Sequence, residues 1–194
     1  MQNQMVRKFN QLSMLNTHTL THFFYVREPS LIFTGNVNGG AAYVYNVNYD
    51  DGSISFIQKL SNTSSMSGDD YGHSVSISGN YVVVGAPQSN GSASNAGEVY
   101  VYKKGDAEND LFVFAVALVS PSPNISALFG WSVDVNSNGV IAVGAKGDRE
   151  ARGTVYLFKP DGSGWSHVFT LDPNVTSSRS TVGNFGWDIA IDDS

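Results

Sequence analysis

An aromatic residue followed by glycine recurs along the chain, at Tyr71-Gly72, Phe129-Gly130 and Phe185-Gly186, with just under sixty residues between successive copies. Each step opens the same sequence of events. An alternating segment follows, then an apolar run ending in Gly85-Ala86-Pro87 or Gly144-Ala145-Lys146. A second glycine then starts a Val/Tyr-rich segment, GEVYVYKK from Gly97 or GTVYLFKP from Gly153. A fourth apolar run closes the unit, LFVFAVAL up to Leu118 and WSHVFTL up to Leu171. Self-similarity at this period is the mark of a repeat architecture in which each unit buries its faces against its neighbours.

Each unit reads as four strands. In the first, Trp131, Val133 and Val135 alternate with Ser132 and Asp134. The same columns recur as His73, Val75, Ile77 and as Trp187, Ile189, Ile191. The columns place Phe129, Phe185, Trp131 and Trp187 in the core. An eroded copy lies upstream: HFFYVREPSLIFTG up to Gly35, GAAYVYNV from Gly40, and ISFIQKL up to Leu60. Here Thr21-His22 stand in place of the aromatic-glycine step. Further upstream, Met5–Phe9 (MVRKF) matches the last strand of that copy. Four-stranded units in series imply an all-β, partial β-propeller of about three blades, with half-blades at both ends. The divisions are 1–20, the end of a preceding blade; 21–70, a degenerate repeat; 71–128 and 129–184, full repeats; and 185–194, the first strand of a further one. With open blades at both ends, self-association through exposed strand edges and apolar faces is expected.

Phe129-Gly130, Phe185-Gly186, Gly85-Ala86-Pro87 and the Val-Tyr strands after Gly97 and Gly153 together resemble the FG-GAP repeat of integrin alpha subunits and many secreted proteins. The likeness covers 50–194 well and 21–49 loosely. It implies a β-propeller and a non-enzymatic binding or adhesion module, extracellular or at the cell surface, with a protein or glycan ligand. It also implies two alternatives: an accessory propeller of a secreted hydrolase or lipase, and a carbohydrate-binding propeller using Trp131, Trp165 and Trp187 as stacking platforms.

Units of this family often carry a calcium loop between first and second strands. Here Asp134-Val135-Asn136-Ser137-Asn138-Gly139 supplies a single carboxylate, and no acid follows in Val140 to Val143. Calcium wants six to eight oxygens, several of them anionic. The equivalent turns, Ser78-Gly79-Asn80 and Glu28-Pro29-Ser30, hold no ligand set. Asn-Gly is a strong hairpin turn in its own right, so a hairpin is expected, with no metal and no cofactor.

Charge narrows the partners. The chain has 11 Lys+Arg against 17 Asp+Glu, a net charge of -6, which argues against nucleic acid. The longest apolar run, Leu111–Val119, falls well short of the roughly 20 residues a membrane helix needs, so no direct membrane insertion is expected. No apolar stretch follows the basic residues near the N-terminus, so no signal peptide is visible. The chain has no cysteine.

No catalytic set stands out. His18 and His22 have the spacing of a helical zinc pair but sit in a Thr-rich strand segment without a glutamate between them. Gly130-Trp131-Ser132-Val133-Asp134 lacks the closing glycine of a nucleophile elbow. The expected binding residues are Asp148, Arg149, Glu150 and Arg152, clustered in the 146–153 loop of a chain otherwise poor in charge. That loop and its counterpart 87–97 join second to third strands. By the resemblance they lie on the ligand face. Sequons for N-glycosylation occur at Asn62, Asn90, Asn124 and Asn174.

Overall fold

The computed structural model describes residues 22–24, 40–47, 51–61, 68–105, 111–162, 164–173 and 183–193. The strand expected at Met5–Phe9, His18, and the sequons at Asn62 and Asn174 lie outside the described residues. The protein is all-β, a partial β-propeller built from three antiparallel sheets. The first holds β1 (His22–Phe24), β2 (Ala42–Val47) and β3 (Ile54–Leu60) in that order. The second runs β4 (Ser74–Ser78), β5 (Tyr81–Ala86), β6 (Glu98–Lys104) and β7 (Phe112–Val119). The third runs β8 (Phe129–Val135), β9 (Ile141–Ala145), β10 (Thr154–Pro160) and β11 (Trp165–Leu171). Sequence order and spatial order coincide in each, as successive hairpins require. In the first sheet, β1 pairs directly with β2. It therefore takes the place that second strands hold in the other sheets, not the first-strand place its sequence suggests.

The sheets pack face to face, and strand alternation assigns each face to one neighbour. Val82, Val84, Tyr100, Tyr102 and Phe112 of the second sheet pack with Ala42, Val44 and Leu60 of the first, and with Tyr71. Val83, Val99, Val101 and Leu118 turn the other way, onto Phe129, Val133, Val135, Ile141, Val143, Tyr156 and Phe158 of the third. Apolar residues on both faces of β5 and β6 give near-continuous apolar runs, which is why these strands lack the alternation of a half-exposed sheet.

The motif glycines explain the joint between sheets. Gly72, Gly130 and Gly186 have φ of 87°, 89° and 81°, a left-handed conformation that favours glycine. The residue before each aromatic is left-handed too: Asp70, Leu128 and Asn184. The same turn closes each time, from His73 N to Asp70 O (3.1 Å), Trp131 N to Leu128 O (3.1 Å) and Trp187 N to Asn184 O (3.0 Å). A β-carbon on Gly85 would collide with the Gly130 carbonyl of the next unit, and one on Gly144 with that of Gly186. Likewise Gly97 lies against the backbone of Phe129, and Gly153 against that of Phe185. The Phe129-Gly130 and Phe185-Gly186 steps thus dock onto the glycines that begin and end the loop of the preceding unit, and Gly40 lies against the backbone of Tyr71 in the same way.

Three expectations at and after the third sheet are corrected. Residues 185–193 form no strand; Phe185 makes only an isolated parallel bridge to Gly153. They nevertheless follow the course of a first strand, because their contacts with the third sheet copy those of β8 with the second. Phe129 is fully buried, but Phe185 is 38% exposed and Trp187 56% exposed, so neither is core. No further sheet covers them among the described residues. Trp131 also leaves the core column. A bulge between Phe129 and Ser132 shifts the register of β8 against β9, and a bulge re-aims the side chains it carries. Light scattering of the purified chain measures the self-association that this exposed face favours. A compact monomer at every concentration would remove it.

Candidate functional site

The Asn136–Gly139 turn is a hairpin. Asn136 Oδ1 accepts from the backbone N–H of Asn138 (3.1 Å) and of Val140 (2.9 Å), and Gly139 N donates to Asn136 O (2.9 Å). Its side-chain oxygen is therefore spent on the turn itself. Asp134 is likewise engaged. Its Oδ1 accepts from Ser76 Oγ (2.6 Å) and its Oδ2 from Ile191 N (2.8 Å), so it joins three successive units. Ser76 Oγ also accepts from Val135 N (3.2 Å). Ser74 Oγ donates to Gly130 O (2.8 Å), as Ser132 Oγ does to Gly186 O (2.7 Å). The polar column of the first strands is thus a line of stitches between units. Among the described residues, no group of three or more His, Cys, Asp or Glu is placed to hold a metal.

Of the four residues expected to bind a partner, the structure separates Asp148 from the rest. Asp148 is buried. Its Oδ1 accepts from Asn124 Nδ2 (2.8 Å) and Arg149 N (2.8 Å), and its Oδ2 from the Tyr156 hydroxyl (2.7 Å). Such a carboxyl group anchors the loop and presents nothing to a ligand. The three that follow it are unusual. Arg149, Glu150 and Ala151 have φ of 50°, 61° and 64°, a left-handed turn of non-glycine residues. Each left-handed residue costs roughly 1–2 kcal/mol. The surroundings over-determine it: Gly153 N donates to Asp148 O (3.0 Å), Ala151 N to Gly147 O (3.2 Å), and Ala151 O accepts from Gly183 N and Asn184 N (both 3.2 Å).

This turn leaves Arg149, Glu150 and Arg152 exposed. Arg149 pairs with Asp172 at the end of β11, and Arg152 Nε donates to Arg149 O (3.0 Å). The 87–97 loop does the same structural duty one unit earlier. Asn95 is left-handed (φ 50°), and Phe129 N donates to Ala96 O (2.9 Å) as Phe185 N does to Arg152 O (2.9 Å). Both loops are therefore parts of the joint between units as well as exposed surface.

Sequence reasoning missed the cluster beside this loop. His73, Trp131 and Trp187 stack in a row, with ring centroids 4.2 and 5.3 Å apart, and the Lys146 ammonium sits over both indoles. Burial lowers the Lys146 pKa. The signal was present in the shared first-strand position of the three aromatics. What that position does depends on the bulge, which periodicity does not reveal. Trp165 is a structural residue: its Nε1 donates to Gly139 O (2.7 Å) and its ring meets Tyr81 edge-on. The two described sequons differ. Asn124 is tied to Asp148, whereas Asn90 lies exposed in the 87–97 loop.

Residues 54–102 match the model of the FG-GAP repeat. The match begins in β3 and ends in β6, so its unit spans the joint between the first and second sheets and includes Tyr71-Gly72, Gly85-Ala86-Pro87 and Gly97. No curated protein matches the chain.

Proposed function

We propose that this chain, which carries an FG-GAP repeat, is a non-enzymatic protein-interaction module of a β-propeller, acting in adhesion at the cell surface or outside the cell. The rigid left-handed turn after Asp148 is the observation that supports a binding role. Strained backbone persists where surrounding structure enforces it, and it concentrates at ligand clamps. Here it fixes the backbone that carries Arg149 and Glu150 and leads to Arg152 on the surface, so less backbone freedom is left to lose on binding, which favours affinity. Among the described residues, no helix is long and apolar enough to cross a membrane.

Binding to a panel of purified cell-surface and matrix proteins tests the reading. The double change Arg149→Ala, Arg152→Ala is expected to weaken a bound protein by about tenfold or more. It should cost below roughly 1 kcal/mol of stability, because the Arg149–Asp172 pair is exposed. Unaltered affinity in the double variant, or no binding across the panel, would sink this reading. The exposed Trp187 favours a second reading, a glycan ligand stacked on that indole. A glycan array probed with the chain and with Trp187→Ala separates the two.

A further inference from the structure

Three asparagines precede glycine: Asn38, which lies outside the described residues, Asn90 and Asn138. A following glycine leaves its backbone nitrogen sterically open to attack the asparagine side chain. The fold places the latter two in opposite situations. At Asn138, the nitrogen that would attack is already committed, since Gly139 N donates to Asn136 O (2.9 Å) inside a tight hairpin. At Asn90, among the described residues no acceptor takes the Gly91 N–H.

Two further groups surround Asn90. The Asn95 backbone N–H donates to Asn90 Oδ1 (2.8 Å). That bond polarises the side-chain carbonyl and stabilises the negative oxygen that forms when Cγ is attacked, the role of an oxyanion donor. The Glu98 carboxyl group lies on the other side. Its Oε2 is held by the Ser89 hydroxyl (2.7 Å) and the Tyr100 hydroxyl (2.6 Å). Its Oε1 lies so close to Gly91 that a β-carbon there would collide with it. That oxygen lies beside the Gly91 α-carbon and does not accept from its N–H as the loop stands, but it is close enough to take the proton once the nitrogen turns toward Asn90 Cγ.

We propose that Asn90-Gly91 is a self-modifying site at which the folded chain converts its own asparagine to aspartate or isoaspartate. Gly91 N forms a bond to Asn90 Cγ and loses its proton to Glu98. The Cγ–Nδ2 bond then breaks, and ammonia leaves carrying that proton, which closes a five-membered succinimide. Water opens the ring at one of its two carbonyls. One water is consumed, one ammonia is released and nothing is oxidised or reduced. The product carries a carboxylate in an 87–97 loop that has no charged residue. If the loops between second and third strands form the binding face, as the proposed function holds, the change alters the charge of that face with time.

The folded chain, incubated at mildly alkaline pH and then mapped by peptide mass spectrometry with isoaspartate detection, tests this. Asn90 should convert roughly tenfold faster than Asn138, less than the 100-fold or more of enclosed acid–base sites. In denaturant the two rates should converge, because both asparagines precede glycine. Glu98→Gln should slow Asn90 several-fold in the folded chain. Equal rates in the folded chain, a gap that survives denaturant, or a Glu98→Gln rate equal to the parent's would each overturn the proposal. If Glu98→Gln loosens the loop, the folded-against-denatured comparison in the parent chain still decides. None of these readouts depends on a binding partner, so failure here is distinct from failure of the proposed function.

Discussion

Phe129→Ala is expected to destabilise the protein by about 3–5 kcal/mol, the range for removing a buried phenylalanine. Phe129 is fully buried between the second and third sheets. Its ring meets Tyr156 at 5.8 Å and Phe158 edge-on at 6.0 Å. Collapse around the lost ring is resisted, because the backbone of Phe129 is fixed on both sides: its N–H donates to Ala96 O with Gly97 directly against it, and it pairs with Ala145 of β9. The residue at the same place in the next repeat is the control. Phe185 makes the equivalent bond to Arg152 O but is 38% exposed, so Phe185→Ala should cost only about 1–2 kcal/mol. Calorimetry on the two variants should show a melting temperature lowered by on the order of 10 °C for the first and by only a few degrees for the second. Similar losses at both positions would mean that the aromatic-glycine step acts locally, through its own turn, and not by burial between units.

Much of this was legible in the residues. Recurrence of glycine at 72, 130 and 186, and at 85 and 144, marked the units because glycine recurs where nothing else fits. Those are the left-handed turns and the points where the next backbone approaches. The four-strand reading followed from apolar runs separated by turn residues, and ten of the described strands, β2 to β11, fall in the segments it named or overlap them closely. What periodicity could not show lies between units. Asp134 read only as the polar alternate of a strand, and Ser76 carried no signal of its own. They are hydrogen-bond stitches to residues more than fifty positions away. Trp131 read as core, but it lies within the bulge between Phe129 and Ser132, which turns it out beside Lys146. Asp148 read as one more surface charge. Its burial is set by Asn124, in the linker before β8, and by Tyr156 in β10, and no local pattern joins those two to the loop.

Asp148→Ala should therefore do what no other change in the charged loop does. Removal of its carboxyl group leaves the Tyr156 hydroxyl, an amide hydrogen of Asn124 and the Arg149 N–H without their partner. Each buried donor so orphaned costs about 1–3 kcal/mol, less where water enters, so a total loss of about 2–4 kcal/mol is expected. The left-handed turn loses its anchor at the same time and has a strain of its own to release. Asp148→Asn keeps the shape and one acceptor oxygen, and should retain most of the stability. Exposed Glu150→Ala should change stability by less than about 0.5 kcal/mol. Alkaline pH gives an independent readout. Burial raises the Tyr156 pKa above its ordinary 10.0, and the hydrogen bond to Asp148 adds to the rise against an opposing bond from Ser120. Burial also raises that of Tyr102. A raised tyrosine pKa means the unfolded chain ionises first. This contribution to stability is complete below the unfolded value and is lost as pH climbs through the folded one. The parent protein should thus lose stability progressively above about pH 10. With Asp148→Ala the carboxyl group no longer holds the Tyr156 proton in place, so the variant should start lower and show a shallower alkaline decline. Chemical denaturation followed across that range would show it. A variant as stable as the parent, or one with an equally steep decline, would mean that Asp148 is a passenger in the loop and that the left-handed turn is held by its backbone bonds alone.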